Sequence, residues 1–269
     1  MSQLAEHERH APHHDARRTD SAGNPWAGRA FDANSFAGDA GEAPERLLDA
    51  LRGFRQRELG QNDVLEAVRE VRLLVPLVAH AGEHGVNEHG RRIDKTQELS
   101  LVTVSAPDGR LVLPVFTSTA AMSRWNPAAR PIPATARRAA LAASAEDTPL
   151  MVLDPTSDTE FVFRRPMLRA IAEGERWIHP AIDVEMQRRF DRSREGVDEV
   201  LAFRLHDGDP TARLAGPQLI IELILRPGLD KEELAMILAQ LQERWRTDEL
   251  IAERVDSLGV RLTSAQSDA

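Results

Sequence analysis

Apolar residues in this sequence come in short groups with two different spacings, and these spacings constrain the fold class. Leu47, Leu48, Leu51 and Phe54 recur every three or four residues, as on one face of a helix. Leu73–Ala79 is instead a continuous apolar run of strand length, and it is the longest in the chain. The alternation predicts an α+β fold with small antiparallel or mixed sheets. No run approaches the roughly 20 apolar residues that cross a membrane, so we expect no membrane association.

Composition along the chain predicts three parts. Residues 1–43 are polar and lack apolar periodicity, so we expect a largely disordered tail. Residues 44–180 and 181–269 each combine helical and strand patterns, and we expect one mixed α/β domain in each. Three evenly spaced aromatic residues in the tail favour a docking segment at 24–40, with chance aromatics in a solvated tail as the alternative. These candidate docking residues are Trp26, Phe31 and Phe36.

The last part has the clearest element order. Two strand patterns are followed by a helix and a final strand pattern, which predicts a small sheet with helices on one face. Asp230 is predicted to cap this helix, with Glu233 at the capping-box position. Earlier in the chain, Pro127, Pro131 and Pro133 indicate an interruption between two helices.

A hairpin is predicted between Leu99–Ala106 and Arg110–Phe116, because a Pro-Asp-Gly turn separates these β-rich runs. Antiparallel pairing over their full length would bring the residues before the first run beside those after the second. Ser118 or Thr117 is predicted to cap a short helix after the second run, and local capping and salt bridges are the alternative to recognition. The candidate recognition surface consists of Asp94, Lys95, Thr117, Ser118, Arg124 and Trp125.

Composition and motifs exclude several function classes. The chain has no cysteine, so disulfides, thiolate metal sites and a cysteine nucleophile are all absent. A net charge of −9 argues against a nucleic-acid partner. The crowded histidines of the acidic tail lack supporting partners, so we expect no metal site, and no motif predicts a cofactor or catalytic residues. The N-terminus lacks the pattern of a signal peptide, which predicts a cytoplasmic protein.

Several strings together resemble the SseB family, also called enhanced serine sensitivity proteins, in its actinobacterial form. The resemblance is sharpest over about 70–180, and 181–269 resembles the family's C-terminal domain less sharply. The family has no established catalytic residues, and its name describes a serine-sensitivity phenotype. The strings that carry the resemblance are Leu73-Leu74-Val75-Pro76-Leu77-Val78, Asp94-Lys95, Glu98–Val104, Asp108-Gly109-Arg110, Leu113-Pro114-Val115-Phe116-Thr117-Ser118, Ala121-Met122, Trp125 and Ala129-Arg130-Pro131-Ile132-Pro133.

Residues and resemblance together predict a non-enzymatic, cytoplasmic, SseB-like protein. It would recognise a protein or small-molecule partner, and the resemblance implies a link to amino-acid, in particular serine, sensitivity. The alternative is an enzyme or anion-binding protein that uses the helix start at Thr117 and Ser118 together with Asp94 and Lys95.

Overall fold

The computed structural model describes residues 36, 38–79, 85–86, 92–93, 99–106, 108–145, 148 and 150–265. Residues from Ala40 onward cluster as one compact unit, and the unit before it ends at Asp39. Trp26 and Phe31, in the predicted docking segment, lie outside the described residues. No helix in the described ranges is long and apolar enough to span a membrane.

Helices are distributed along the whole of the compact unit. Those formed by the described residues are α1 (Glu45–Arg55), α2 (Gln61–Arg69), α3 (Thr119–Trp125), α4 (Ala136–Ala145), α5 (Arg165–Glu173), α6 (Val184–Ser193), α7 (Lys231–Thr247) and α8 (Glu249–Arg254).

Strands are short and alternate with these helices, which confirms the predicted α+β class. They are β1 (Arg72–Ala79), β2 (Gly85–Val86), β3 (Arg92–Ile93), β4 (Leu99–Leu101), β5 (Val104–Ser105), β6 (Leu111–Val115), β7 (Arg130–Thr135), β8 (Met151–Leu153), β9 (Phe161–Phe163), β10 (Val200–Asp207), β11 (Leu219–Leu225) and β12 (Leu258–Ser264).

Besides the two-stranded sheet β2-β3, the first part of the unit contains two larger sheets that meet at one point. One has the order β4-β1-β7 and the other β5-β6-β8-β9, and the backbones of Leu74 and Phe116 form an isolated bridge between them. One continuous hydrophobic cluster includes the buried faces of α1, α2, α4 and α5 and the inner side chains of both sheets. Phe161 and Phe163 lie in this cluster with their ring centroids 4.8 Å apart, so they serve core packing.

The predicted hairpin is only partly right. Val104 and Ser105 pair with Val112 and Leu111, as a hairpin requires. Leu99–Leu101 does not continue this ladder but pairs with Leu77–Ala79 of β1. Each of the two β-rich runs therefore pairs with more than one strand. The full-length pairing that was expected to bring Lys95 beside Thr117 does not form.

Pro131 and Pro133 do lie between two helices, α3 and α4, but part of that stretch is a strand that the sequence did not predict. β7 pairs antiparallel with β1, with Pro131 opposite Pro76 and Pro133 opposite Leu74. β7 lies at the edge of its sheet, where a residue without an N–H costs no ladder hydrogen bond if it faces away from the neighbouring strand.

The second part of the unit forms the three-stranded sheet predicted for it. β10 and β11 are antiparallel, and β12 returns parallel to β11 after the crossover through α7 and α8. Asp230 caps α7 and Glu233 bonds back to the Asp230 N–H, so the predicted capping box is confirmed. Phe190 and Trp245 pack edge-to-face, with ring centroids 5.6 Å apart, in the core between the helices and the sheet.

Candidate functional site

Four of the six predicted surface residues lie around the start and end of α3. Thr117 and Ser118 follow β6, and Arg124 and Trp125 end the helix. Asp94 and Lys95 lie outside the described residues. The structure thus places four residues of the predicted surface around α3, and the part played by Asp94 and Lys95 stays a prediction.

Ser118 is the residue that caps α3. Its side chain accepts a hydrogen bond of 3.1 Å from the Ala121 N–H, and its extended backbone precedes the first helical residue, Thr119. Ser118 is also buried. Its hydroxyl is therefore already used in satisfying a helix N–H that would otherwise have no partner.

Thr117 is held by a carboxylate that the sequence analysis did not single out. Asp154 accepts hydrogen bonds from the Thr117 N–H at 2.8 Å and from the Thr117 hydroxyl at 2.7 Å. The Thr159 hydroxyl donates a third, at 2.8 Å. Thr117 and Asp154 are 2% and 1% exposed, so both residues are almost fully buried.

Asp154 begins a loop over 154–159 that its own side chains hold in shape. The Ser157 hydroxyl donates to the Asp154 carbonyl at 2.7 Å, and the Thr159 N–H donates to the Ser157 hydroxyl at 3.1 Å. Asp154 and Thr156 have φ angles of 44° and 66°, in the left-handed region that residues other than glycine rarely occupy. Such conformations cost about 1–3 kcal/mol each and persist only where the surroundings enforce them.

An open pocket of about 600 Å³ lies between this loop and the end of α3. We call it the Arg124 pocket, and it is lined by Ala121, Arg124, Trp125 and 154–159. The half-buried Trp125 ring packs on Phe116, with centroids 5.2 Å apart. Arg124 is exposed and makes no hydrogen bond or salt bridge to any described residue. The pocket therefore offers a guanidinium and an indole that are available to a partner.

Most of the hydroxyl groups at the Arg124 pocket are committed to hydrogen bonds within the protein. Within the described lining, the hydroxyls of Ser157 and Thr159 are engaged in the loop, as those of Thr117 and Ser118 are engaged beside it. The exposed Thr156 also lines the pocket, and its hydroxyl makes no hydrogen bond to a described residue. Nucleophilic catalysis needs a hydroxyl that is accessible and bonded to a base. The described residues also contain no cluster of three metal-ligating side chains.

A local sequence pattern could have predicted this loop. Asp154-Pro155-Thr156-Ser157-Asp158-Thr159 is a run of turn-forming residues with short hydroxyl and carboxylate side chains, directly after a buried strand. The run predicts an ordered turn, but its contact with Thr117 depends on a residue 37 positions earlier.

Comparison with known proteins identifies the first part of the chain. No curated protein and no solved structure matches the chain. Residues 45–170 match the family model described as the SseB protein N-terminal domain. The match begins with α1, ends within α5 and includes Thr117, Ser118, Asp154 and the Arg124 pocket. Residues 45–170 of the chain are thus similar to the N-terminal domain of SseB proteins.

Proposed function

We propose that this protein is a non-enzymatic recognition module that binds a protein or small-molecule partner in the Arg124 pocket. The observation that carries the proposal is the contrast between the residues at the end of α3 and those at its start. Arg124 is unpaired among the described residues and the half-buried Trp125 lines the pocket, whereas Thr117 and Ser118 are used internally. A site of this kind binds chemical groups of a partner and does not convert the partner into a product.

The fixed loop at 154–159 supports binding because it reduces the ordering that a partner would have to impose. Its hydrogen bonds from Ser157 and Thr159 already hold the wall opposite α3. A wall that is ordered before binding loses less conformational entropy on association than a mobile one.

The chemistry of the lining also limits the partner. An unpaired guanidinium forms two parallel hydrogen bonds with a carboxylate or phosphate, and an indole face accepts a flat or apolar group beside it. Asp158, exposed on the other wall, adds a negative charge. We infer a partner group that combines an anionic end with a small apolar or cationic part.

A free amino acid has such a combination, and serine is the first to test in view of the resemblance to enhanced serine sensitivity proteins. In this proposal Arg124 pairs with the α-carboxylate and Asp158 with the ammonium group. Isothermal titration calorimetry of the full chain with L-serine tests it, with Arg124→Ala as the comparison. Heat that saturates for the wild type and disappears for R124A supports serine binding, and no heat from the wild type excludes serine as the ligand.

The enzyme or anion-binding alternative has less support. It needs a free hydroxyl or N–H groups at the α3 start, but Ser118 caps that helix and Thr117 bonds to Asp154. Its other two residues, Asp94 and Lys95, lie outside the described ranges.

Partner capture by the full chain tests the recognition proposal itself. Arg124→Ala should reduce the amount of each specifically captured molecule, because it removes the cation of the pocket. Arg138→Ala is the matched control, since Arg138 is also exposed but lies on α4 away from the pocket lining. Equal capture by both variants and the wild type would refute the proposal. A cytoplasmic location is part of the same proposal, and cell fractionation tests it.

A further inference from the structure

β12 is an edge strand with one side unpaired among the described residues. It pairs only with β11, in a sheet of order β10-β11-β12. The opposite edge, β10, has an irregular register near Ala202 and carries Arg204, His206 and Asp207. Bulges and charges are the features that usually prevent an edge from pairing with another chain. β12 is regular, contains no proline or lysine, and has Arg261 as its one charged residue.

The unprotected edge also exposes an apolar row. Leu258, Val260 and Leu262 are 37%, 39% and 43% exposed. Their parallel partners on β11, among them Leu219 and Ile221, are buried beneath the helices. The side chains of paired residues in a parallel ladder lie on the same face of the sheet. The exposed row therefore continues the buried face of the sheet beyond the part that the helices cover.

The main chain of the same three residues points away from β11. The Leu219 N–H bonds to the Ser257 carbonyl, and the Ala265 N–H bonds to the Leu225 carbonyl. In a regular parallel ladder this assigns the odd-numbered residues 259–265 to bonds with β11. The N–H and C=O groups of Leu258, Val260 and Leu262 therefore face the open edge.

We propose that a second copy of this chain covers this edge, with β12 antiparallel to β12 of its partner. The two-fold axis passes between Val260 and the partner's Val260, which lie opposite each other. Leu258 then lies opposite the partner's Leu262. In this register every outward-facing residue meets an outward-facing residue, and each pair exchanges two main-chain hydrogen bonds. All six apolar side chains then lie on one face of a continuous six-stranded sheet.

The register is self-complementary in charge as well. β12 contains no acidic residue, so no carboxylates oppose each other across the axis. Arg261 lies opposite the partner's Gly259, which leaves space for the guanidinium on the other face. Isologous pairing of this kind closes with two copies, because the edges that remain are those of the protected β10. A strand pair is a small interface, so we expect a dissociation constant in the micromolar range.

Sedimentation velocity of the full chain over a concentration series tests the dimer. We expect the wild type to shift from monomer to dimer as concentration rises, and Val260→Lys to remain a monomer at every concentration. Arg261→Gln is the matched control, because this neighbour lies on the other face, and it should dimerise like the wild type. Circular dichroism melting confirms that each variant is folded. A monomeric wild type, larger oligomers, or a V260K variant that still dimerises would each overturn the proposal.

Cross-linking tests the register and does not depend on the folding of V260K. The chain has no cysteine, so Val260→Cys introduces a single thiol. A short bis-maleimide should link two V260C chains in high yield, since the two positions meet at the axis. Met236→Cys, at a position that is 66% exposed on α7, is the control and should link only by collision. Equal yields from V260C and M236C would overturn the register.

Discussion

Arg164 donates a hydrogen bond of 2.7 Å to Asp209, and their side chains are 4% and 2% exposed. Arg164 follows β9, in the first part of the compact unit, whereas Asp209 follows β10, in the second. The same guanidinium lies 3.1 Å from Asp256 and bonds to the Gly216 carbonyl. One buried cation thus links the region that matches the SseB N-terminal domain model to the chain that follows it.

Replacing Arg164 should destabilise the whole unit. Arg164→Ala leaves two nearly inaccessible carboxylates, Asp209 and Asp256, without this cation, and breaking a buried ion pair costs about 3–5 kcal/mol. Urea denaturation measures the loss. Arg169→Ala is the control, since its ion pairs with Glu173 and Glu253 are about half exposed and its midpoint should change little. Equal midpoints for R164A and R169A would contradict this account.

A fragment limited to residues 40–180 should fail to fold cooperatively. It retains Arg164 but loses Asp209 and Asp256, and it also loses Ala212 and Leu214, which are buried in the hydrophobic clusters of the first part. The fragment therefore has a buried cation without partners and gaps in its core. Calorimetry of the fragment beside the full chain checks this. A single cooperative transition from the fragment would show that residues 40–180 are an independent domain.

Local sequence signals predicted the local structure well. The capping box of Asp230 and Glu233 and the capping of α3 by Ser118 were predicted because each depends on residues within three positions of one another. Strand partners were less predictable. Leu99–Leu101 looked like part of a hairpin, but its partner is β1, and nothing in the two strings themselves selects that pairing.

The Arg124 pocket was half predictable for the same reason. Arg124 and Trp125 were found because they lie on a short helix after a recognisable cap. Asp154 was not, because its role appears only when the carboxylate reaches Thr117 across the ends of two neighbouring strands. A buried acid after a strand has no sequence signature that separates it from an ordinary turn residue.

Removing the Asp154 carboxylate should destabilise the protein and loosen the pocket. Asp154→Ala leaves three donors, from Thr117 and Thr159, without an acceptor, and it keeps a non-glycine residue at a φ of 44°. We expect a loss of about 3 kcal/mol in chemical denaturation, since hydrogen bonds to charged groups contribute about 1.5–3 kcal/mol each. Asp154→Asn retains an acceptor and tolerates this φ, so it should lose less. Equal losses for D154A and D154N would contradict this role of the carboxylate.

Glu222, at the centre of the second sheet, should make stability depend on acid pH. Hydrogen bonds from Thr263 and from His206 lower the pKa of this carboxyl. A lowered folded-state pKa stabilises the protein above the unfolded value of about 4.3, and the contribution is lost as pH falls through the folded-state pKa. Thr263→Val should raise the pKa of Glu222 toward its ordinary value, measured by NMR titration of the side-chain carbon. An unchanged pKa in T263V would exclude Thr263 as the main cause.

The central claim is that Arg124 and Trp125, rather than the hydroxyl of Ser118, carry recognition. The most direct test measures the dissociation constant of a captured partner for Trp125→Ala and Ser118→Ala at a temperature where both are folded. Ser118→Ala costs about 1 kcal/mol of stability as a lost helix cap but should bind within about twofold of the wild type. Trp125→Ala should weaken binding at least about tenfold, the equivalent of about 1.4 kcal/mol. Wild-type affinity in W125A together with lost binding in S118A would contradict the account.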